Sequence, residues 1–367
     1  MMDKVKYAIV GCGSVSWNRY FTRISDIQRG QLVAVCDANA ERLKRPMDMH
    51  HVPGFTDLDE MLAKVDFDLL VNLTNDQMHY SLNLKGLQAG KHVYTQKPMT
   101  VTVEQATTLI EEAAKRKLKL VSEEAVGTFL LYRTMRKLLD EGVIGKVVWA
   151  RATCTHWGPA TIDNWPTDPA WFYLKGGGPL RDVGIERLHA LTYLLGPCKR
   201  VSAMSGINQP EVVVRGGPTK GKLVKVEEDD VTLLTLDFGN STFAMLDAVW
   251  VNQRAILTPY LEIYGQKGVL TVMKASGRDP GQRDFDLRLF RDEPGLGVRG
   301  WAQIEAIPPL KPDPSVAITG VVHAIDCILD DMRPISSGEH ARHCIEIMEK
   351  SYLAARTGTV QTIVHTF

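Results

Sequence analysis

Three side chains able to carry protons stand close together in "GGGPLRDVGIERLH", residues 176–189: Asp182, Glu186 and His189. In an α-helix, residues i, i+4 and i+7 share a face. A helix running from about 182 therefore predicts one stripe of two carboxylates and an imidazole. Like charges four residues apart repel, so the stripe calls for a nearby cation or a shared proton. Lys97, in "TQKP", is the obvious cation. Alcohol oxidation needs a hydride acceptor above the carbon and a base at the hydroxyl. Lys97 is expected to contact that hydroxyl, with Asp182 orienting it and helping to relay its proton. Glu186 or His189 then serves as the base or binds neighbouring hydroxyls, since an unperturbed imidazole titrates near neutrality. The plainer alternative pairs Glu186 with Arg187 or Arg181 at the surface and makes His189 a satisfied core residue.

A second constellation lies near the N-terminus. Gly11 and Gly13 in "GCGSVS" follow an apolar run, with Ser16 as the third small residue. The first glycine allows a tight turn. The second lets a pyrophosphate approach backbone N–H groups at a helix start, where Ser14 and Val15 lie. Asp37 ends the next apolar run. An acid there accepts hydrogen bonds from a ribose 2′-hydroxyl and repels a 2′-phosphate. Ala38 follows and offers no phosphate donor, so NAD is favoured over NADP, a preference that Arg42 or Arg45 would soften. The alternative is that Asp37 caps the following helix.

The elements that must hold these residues alternate strand and helix up to "LKLVSEEA", which implies a parallel sheet covered on both faces. After the helical "FLLYRTMRKLLDEGVIG", strand-like runs such as "DVTLLTLDFG" and "STFAMLDAVWV" dominate and imply a largely antiparallel sheet. The expectation is an α/β protein: a dinucleotide-binding domain over 1–124 and a substrate-binding and oligomerisation domain over 125–367. Two late helices are expected around 318–331 and 339–357. "IPPLKPDPS" reads as a surface loop and "KVEEDD" as a solvated strand start.

The 367 residues exceed one ordinary core. The 43 basic and 43 acidic side chains balance, which argues against a nucleic-acid or acidic-membrane surface. Six cysteines without a CxxC pair suggest buried thiols in a reducing compartment, and no apolar run is long enough to span a bilayer. A cytoplasmic protein is expected. Aromatics crowd "THWGPATIDNWPTDPAWFYLKGGG". His156, Trp157, Asn164, Trp165 and Tyr173 are candidates for binding the C–H faces and hydroxyls of a carbohydrate, or else simply pack on the sheet. Glu123 and Glu124 follow a strand end and either face a cleft or are solvated. His340, His343 and Cys344 have spacing conceivable for zinc, but a solvated helix is the preferred reading and no metal is assigned. Phosphate-loop, serine-hydrolase and zinc-protease motifs are missing.

"NLTNDQMHYSLNLKGLQAGKHVYTQKP", "GGGPLRDVGIERLHALTYLLG" and "IYGQKGVLTV" together resemble the Gfo/Idh/MocA oxidoreductases over nearly the whole chain. The resemblance implies an N-terminal Rossmann domain, a C-terminal α/β domain with an open, mostly antiparallel sheet, and dimers or tetramers formed through that sheet. It also implies hydride transfer to or from a secondary hydroxyl carbon of a sugar, cyclitol or glycoside. It places Thr74, Asn75, Asp76, His79 and Gln96 near the cofactor and Lys97 at the reacting carbon. Four positions depart from the family pattern: Asn75 replaces a common Pro, Gln96 a usual Glu, Glu186 the usual catalytic His, and His189 a substrate-binding Asp. The last two keep open a glycoside-cleaving reaction through transient oxidation and elimination. A non-catalytic nucleotide-binding sensor is a further alternative, against which the retained Lys97 and Asp182 argue.

Overall fold

The computed structural model describes residues 4–250, 259–274, 285–293, 298–304 and 318–367. The proline-rich segment 307–315 lies outside them. The first apolar run forms β1 (Val5–Val10), followed by β2 (Gly30–Cys36), β3 (Gly54–Phe55), β4 (Leu69–Asn72), β5 (His92–Thr95) and β6 (Leu120–Ser122). Among the described residues these form one parallel sheet in the order β3-β2-β1-β4-β5-β6. Every β4 side chain is buried, as expected of a strand covered on both faces. The interleaved helices are α1 (Ala40–His50), α2 (Leu58–Lys64), α3 (Asp76–Gln88) and α4 (Val103–Arg116). Asn39, Asp57, Asn75 and Thr102 cap them, each side chain accepting a first-turn N–H. The strand order reverses between β1 and β4, and ligands of such sheets sit outside the strands' carboxyl ends at that crevice.

The segment after the glycine turn is not the regular helix expected. Ser16–Tyr20 winds as a π-helix and Phe21–Asp26 as a 3₁₀-helix. Consecutive Tyr20 and Phe21 are both buried in the core beside Tyr7 and Ile9. An even α-turn separates neighbours by about 100°, whereas the change of pitch lets both aromatics face inward.

The remaining helices are α5 (Leu130–Asp140), α6 (Ile185–Leu195), α7 (Thr319–Leu329) and α8 (Gly338–Thr357). The chain divides into two compact units, one of Met1–Phe129 with Asp313–Ile345 and Phe367, the other of Leu130–Pro312 with Glu346–Thr366. A single cut at 124/125 therefore leaves out a returning segment. Ile318, Val321, Ala324 and Ile325 join the core of the parallel sheet, and Arg29 holds Asp326 and Asp330 at 2.6 and 2.7 Å. Apolar spacing reveals that a helix has a buried face, not which sheet the face covers. His340 and His343 are buried beside Phe367, with ring centroids 4.1 and 5.2 Å from it. That part of α8 is core rather than the solvated helix expected.

The second unit contains β7 (Val147–Thr155), β8 (Arg200–Gly206), β9 (Glu211–Val213), β10 (Leu223–Lys225), β11 (Val231–Gly239), β12 (Thr242–Val249), β13 (Leu261–Gly265), β14 (Gly268–Lys274), β15 (Phe285–Glu293), β16 (Val298–Gln303) and β17 (Gln361–Thr362). β9 and β10 pair alone. The other strands form a sheet in the order β16-β15-β14-β13-β7-β12-β11-β8-β17, in which only β7 and β12 are parallel among the described pairings. Alternation splits its faces. Leu234, Leu236, Ala244 and Leu246 are buried, while Met204, Leu233, Phe243 and Met245 are exposed. Register sets Leu233 opposite Met204 and Phe243 opposite Trp149 on that open face. All six cysteines are buried and none forms a disulfide.

Burial holds His79, His92 and His323 below their ordinary pKa of 6.5. The unfolded chain then binds more protons just below that pH. The stability these residues contribute is complete above pH 6.5 and lost as pH falls toward their folded values. Thermal unfolding is expected at a lower midpoint at pH 5.5 than at pH 7.5, and equal midpoints would contradict this burial.

Candidate active site

At the carboxyl edge of the parallel sheet, Gly11 leaves β1 with φ +93°, and a Cβ there would lie 2.8 Å from the backbone of Leu73 and Thr74. Only glycine suits that close approach and dihedral. A Cβ on Gly13 would meet nothing within 4 Å, so the second glycine faces open space, as a cradle for a pyrophosphate requires. Ser14 is half-buried, Val15 is exposed, and Ser16 is buried with its hydroxyl donating to the Gly11 carbonyl at 2.6 Å.

Asp37 lies just past β2 and is nearly buried. Its carboxylate accepts from the Cys12 and Asn39 N–H groups, both at 2.8 Å. Asn39, not Asp37, is the cap of α1. Asp37 thus ties the glycine turn to β2, and its oxygens keep lone pairs for a ribose diol. Arg42 stands 3.9 Å away. The donor set fits a dinucleotide: a glycine cradle for the phosphates and an acid for the ribose.

Thr74 donates to Asn72 at 2.6 Å, and Asn75 is exposed at the start of α3. Asp76 is buried in the first turn of α3. The structure places His79 inside the protein. It is 1% exposed, with Nδ1 2.7 Å from the Pro98 carbonyl and Nε2 3.0 Å from the Thr74 carbonyl. The neutral ring carries one N–H and donates to one of these two carbonyls, and in that position His79 braces the turn after β5. Half-buried Lys97 sits on that turn, close enough to His79 to help lower its pKa, though burial is the larger cause.

Gln96 is also redirected inward. Its Nε2 donates to the Tyr20 hydroxyl at 2.5 Å; that hydroxyl lies 3.0 Å from the Tyr94 hydroxyl, which donates to Glu123 at 2.5 Å. Glu123 and Glu124 are both buried within the first unit, which removes the solvated alternative. Tyr20, Tyr94 and Glu123 form a polar chain that no local sequence pattern announces.

In the second unit, Leu180–Gly184 winds as a π-helix and runs into α6. Asp182 lies in this wider turn, so the step from Asp182 to Glu186 is not a regular α-helical one. Asp182 is half-buried. Glu186 lies 3.9 Å from Arg187, and both side chains are half-buried rather than at the surface. His189 is 1% exposed.

The aromatic loop divides in two. Tyr173, Phe172 and Trp250 share a small core with Val212, Val214, Val224 and Val226, with Trp165 packed against it. The Tyr173 hydroxyl accepts from the Ala160 N–H at 3.0 Å. The Trp250 indole nitrogen lies 3.1 Å from His156 Nε2 and the Gly158 nitrogen 3.0 Å from its Nδ1, and the neutral ring accepts from one of the two. Tyr173 is buried in this packing, and Trp165 is half-buried against it. Trp157, Asn164 and Trp171 remain exposed. Trp250, which sequence reasoning missed, reads as an ordinary strand residue in "DAVWV".

A family profile described as "Oxidoreductase family, NAD-binding Rossmann fold" matches residues 5–124. A second, described as "GFO/IDH/MocA C-terminal domain", matches residues 132–271. This chain belongs to the GFO/IDH/MocA oxidoreductase family. Its N-terminal unit is the family's NAD-binding Rossmann domain. Among similar curated proteins is a 2,7-anhydro-N-acetylneuraminate hydratase of Mediterraneibacter gnavus, 24% identical over 94% of this chain and 92% of that protein. Another is a D-apiose dehydrogenase of Paraburkholderia graminis, 24% identical over 97% of this chain and 89% of that protein. Among solved structures, an oxidoreductase from Agrobacterium radiobacter in complex with NAD+, L-tartaric acid and magnesium superposes with TM-score 0.78. It is 18% identical, covering 98% of each chain. Among the described residues, no helix of this family member is long and apolar enough to cross a membrane.

Asp37→Ala is expected to weaken NAD binding about ten-fold and NADP binding less, as measured by isothermal titration calorimetry. An unchanged ratio of the two affinities would remove the ribose role.

Proposed function

We propose that this chain oxidises or reduces a secondary hydroxyl carbon of a sugar, cyclitol or glycoside, with NAD rather than NADP as its redox partner. NAD, when bound, supplies the redox chemistry at the carbon. The observation that carries the reading is Lys97, half-buried on the turn that His79 braces, beyond the carboxyl end of β5. That is the edge where a Rossmann sheet presents its ligands. Lys97 hydrogen-bonds the reacting hydroxyl, and Asp182 takes up or returns the proton. Glu186, held near Arg187, and buried His189 are the weaker candidates for that proton step. Exposed Trp157 and Asn164 offer a ring face and an amide suited to a sugar's C–H groups and hydroxyls. The D-apiose dehydrogenase relative supports the substrate class.

Lys97→Met is expected to lower turnover at least about a thousand-fold, within the range of general acid–base contributions, while NAD affinity stays within about three-fold. NADH absorbance on a polyol and glycoside panel measures the first, calorimetry the second. Full activity in this variant ends the assignment.

A second reading has one specific support, the relative named as a hydratase across nearly the whole chain. A transient oxidation, an elimination and a re-reduction of the product by the same NADH give a changed sugar without net NADH. Product formed from a glycoside with no rise in NADH favours it; NADH accumulating with a free sugar favours the dehydrogenase.

We also propose a homodimer or homotetramer assembled through the open face of the large sheet, where Met204, Leu233, Phe243 and Met245 are exposed. Met245→Glu is expected to shift the protein to a monomer in light scattering. An unchanged assembly would place the interface elsewhere.

A further inference from the structure

The acidic run "KVEEDD" is not the solvated strand start that its charge suggests. Asp230 is buried and accepts from the Asn208 and Gln209 N–H groups at 2.7 and 2.8 Å. Asp229 takes a short hydrogen bond from the Ser205 hydroxyl. Glu227 and Glu228 donate their backbone N–H groups to the Tyr173 carbonyl at 2.8 and 3.2 Å. The Glu228 side chain then reaches back along the loop and accepts the Gly176 N–H at 2.7 Å.

The strap thus grips the glycine run from outside. Inside the run, the Gly178 N–H donates to the Phe172 carbonyl at 2.8 Å. Gly178 has φ +84°, and a Cβ there would stand 3.0 Å from the Asp229 carbonyl and the Glu228 side chain. The Gly178 carbonyl in turn accepts the Asp182 N–H at 3.1 Å and so starts the wide turn. Tyr352 closes the same cluster. Burial raises its phenol's pKa, Glu228 and Asp229 raise it further, and Arg181 lowers it. Residues on both sides of the glycine run therefore meet at one point, with Arg181 adjoining Asp182 in the chain.

We propose that Glu228 is a positioning residue for Asp182: by accepting the Gly176 N–H it fixes the glycine run, and the run fixes the turn that carries Asp182. The clamp stands on its own geometry. Its effect on turnover rests on the role proposed above for Asp182. A carboxylate gripping a backbone amide acts through its oxygen, so an amide oxygen in the same place should serve nearly as well.

The test follows hydrogen exchange of amides 176–182 in the full chain, together with NADH formation. In Glu228→Ala, exchange of this segment is expected to accelerate. Its kcat should fall about ten- to hundred-fold, the scale of a slightly misplaced catalytic group, with KM for the sugar changed less. Glu228→Gln should restore both protection and most of kcat. Unchanged exchange in Glu228→Ala overturns the clamp, and a Gln variant as impaired as Ala overturns the acceptor role. Faster exchange with undiminished kcat breaks the link to Asp182. If the unsubstituted protein turns over no polyol or glycoside, the proposed function fails and takes that link with it, while the exchange measurements still decide the clamp.

Discussion

The imidazole of His79 is wedged between the carbonyls of Thr74 and Pro98, and the site in the Rossmann unit depends on that wedge. It ties the start of α3 to the turn after β5. It does so in a fully buried setting, where the single N–H of the neutral ring satisfies one of the two carbonyls. The same stretch of α3 is anchored from below: Asn72, buried at the end of β4, donates to Asn83 at 2.8 Å and receives Thr74. Gly11 then packs its Cα against Leu73 and Thr74. The crossover after β4 is therefore the fixed floor against which both the phosphate-binding glycine turn and the lysine turn are set.

The sequence shows the parallel half of the fold clearly because its code is local. Apolar runs of strand length, glycine stops and four side-chain caps each act within a few residues. Asp37 at the end of β2 is legible for the same reason. The return of α7 to the first unit is not legible, since a helix's apolar stripe names no partner. The two irregular helical turns are also hidden. A pattern of apolar residues does not distinguish a π-turn from an α-turn.

Site residues split along a similar line. The backbone positions of Gly11, Asp37 and Lys97, each just past a strand, follow from the strand pattern. Residues whose role turns on side-chain direction do not follow from position alone. His79 and Gln96 point into the protein, Trp165 and Tyr173 pack under β9 and β10, and charged "EEDD" grips a loop. Polarity and aromaticity are cues for exposure or ligand contact only until a buried partner is found. Here the partners lie far away in sequence: Tyr20 is 76 residues from Gln96, and Gly176 is 52 from Glu228.

The departure at position 96 has a physical reason in the buried chain behind it. Glu123 accepts from Tyr94, so the single Tyr94 proton is committed there, and the bond between the two phenols must use the proton of Tyr20. Tyr20 can then only accept at its other side, and Gln96 supplies the required N–H. An ionised Glu at 96 would claim the Tyr20 proton and leave two phenolic oxygens 3.0 Å apart with no hydrogen between them. It would also set a second carboxylate in the same buried chain, where like charges are costly. The amide at 96 and the acid at 123 thus form one donor-to-acceptor sequence. An acid at 96 removes the donor that this direction requires, whereas an amide at 123 would still accept from Tyr94 through its oxygen.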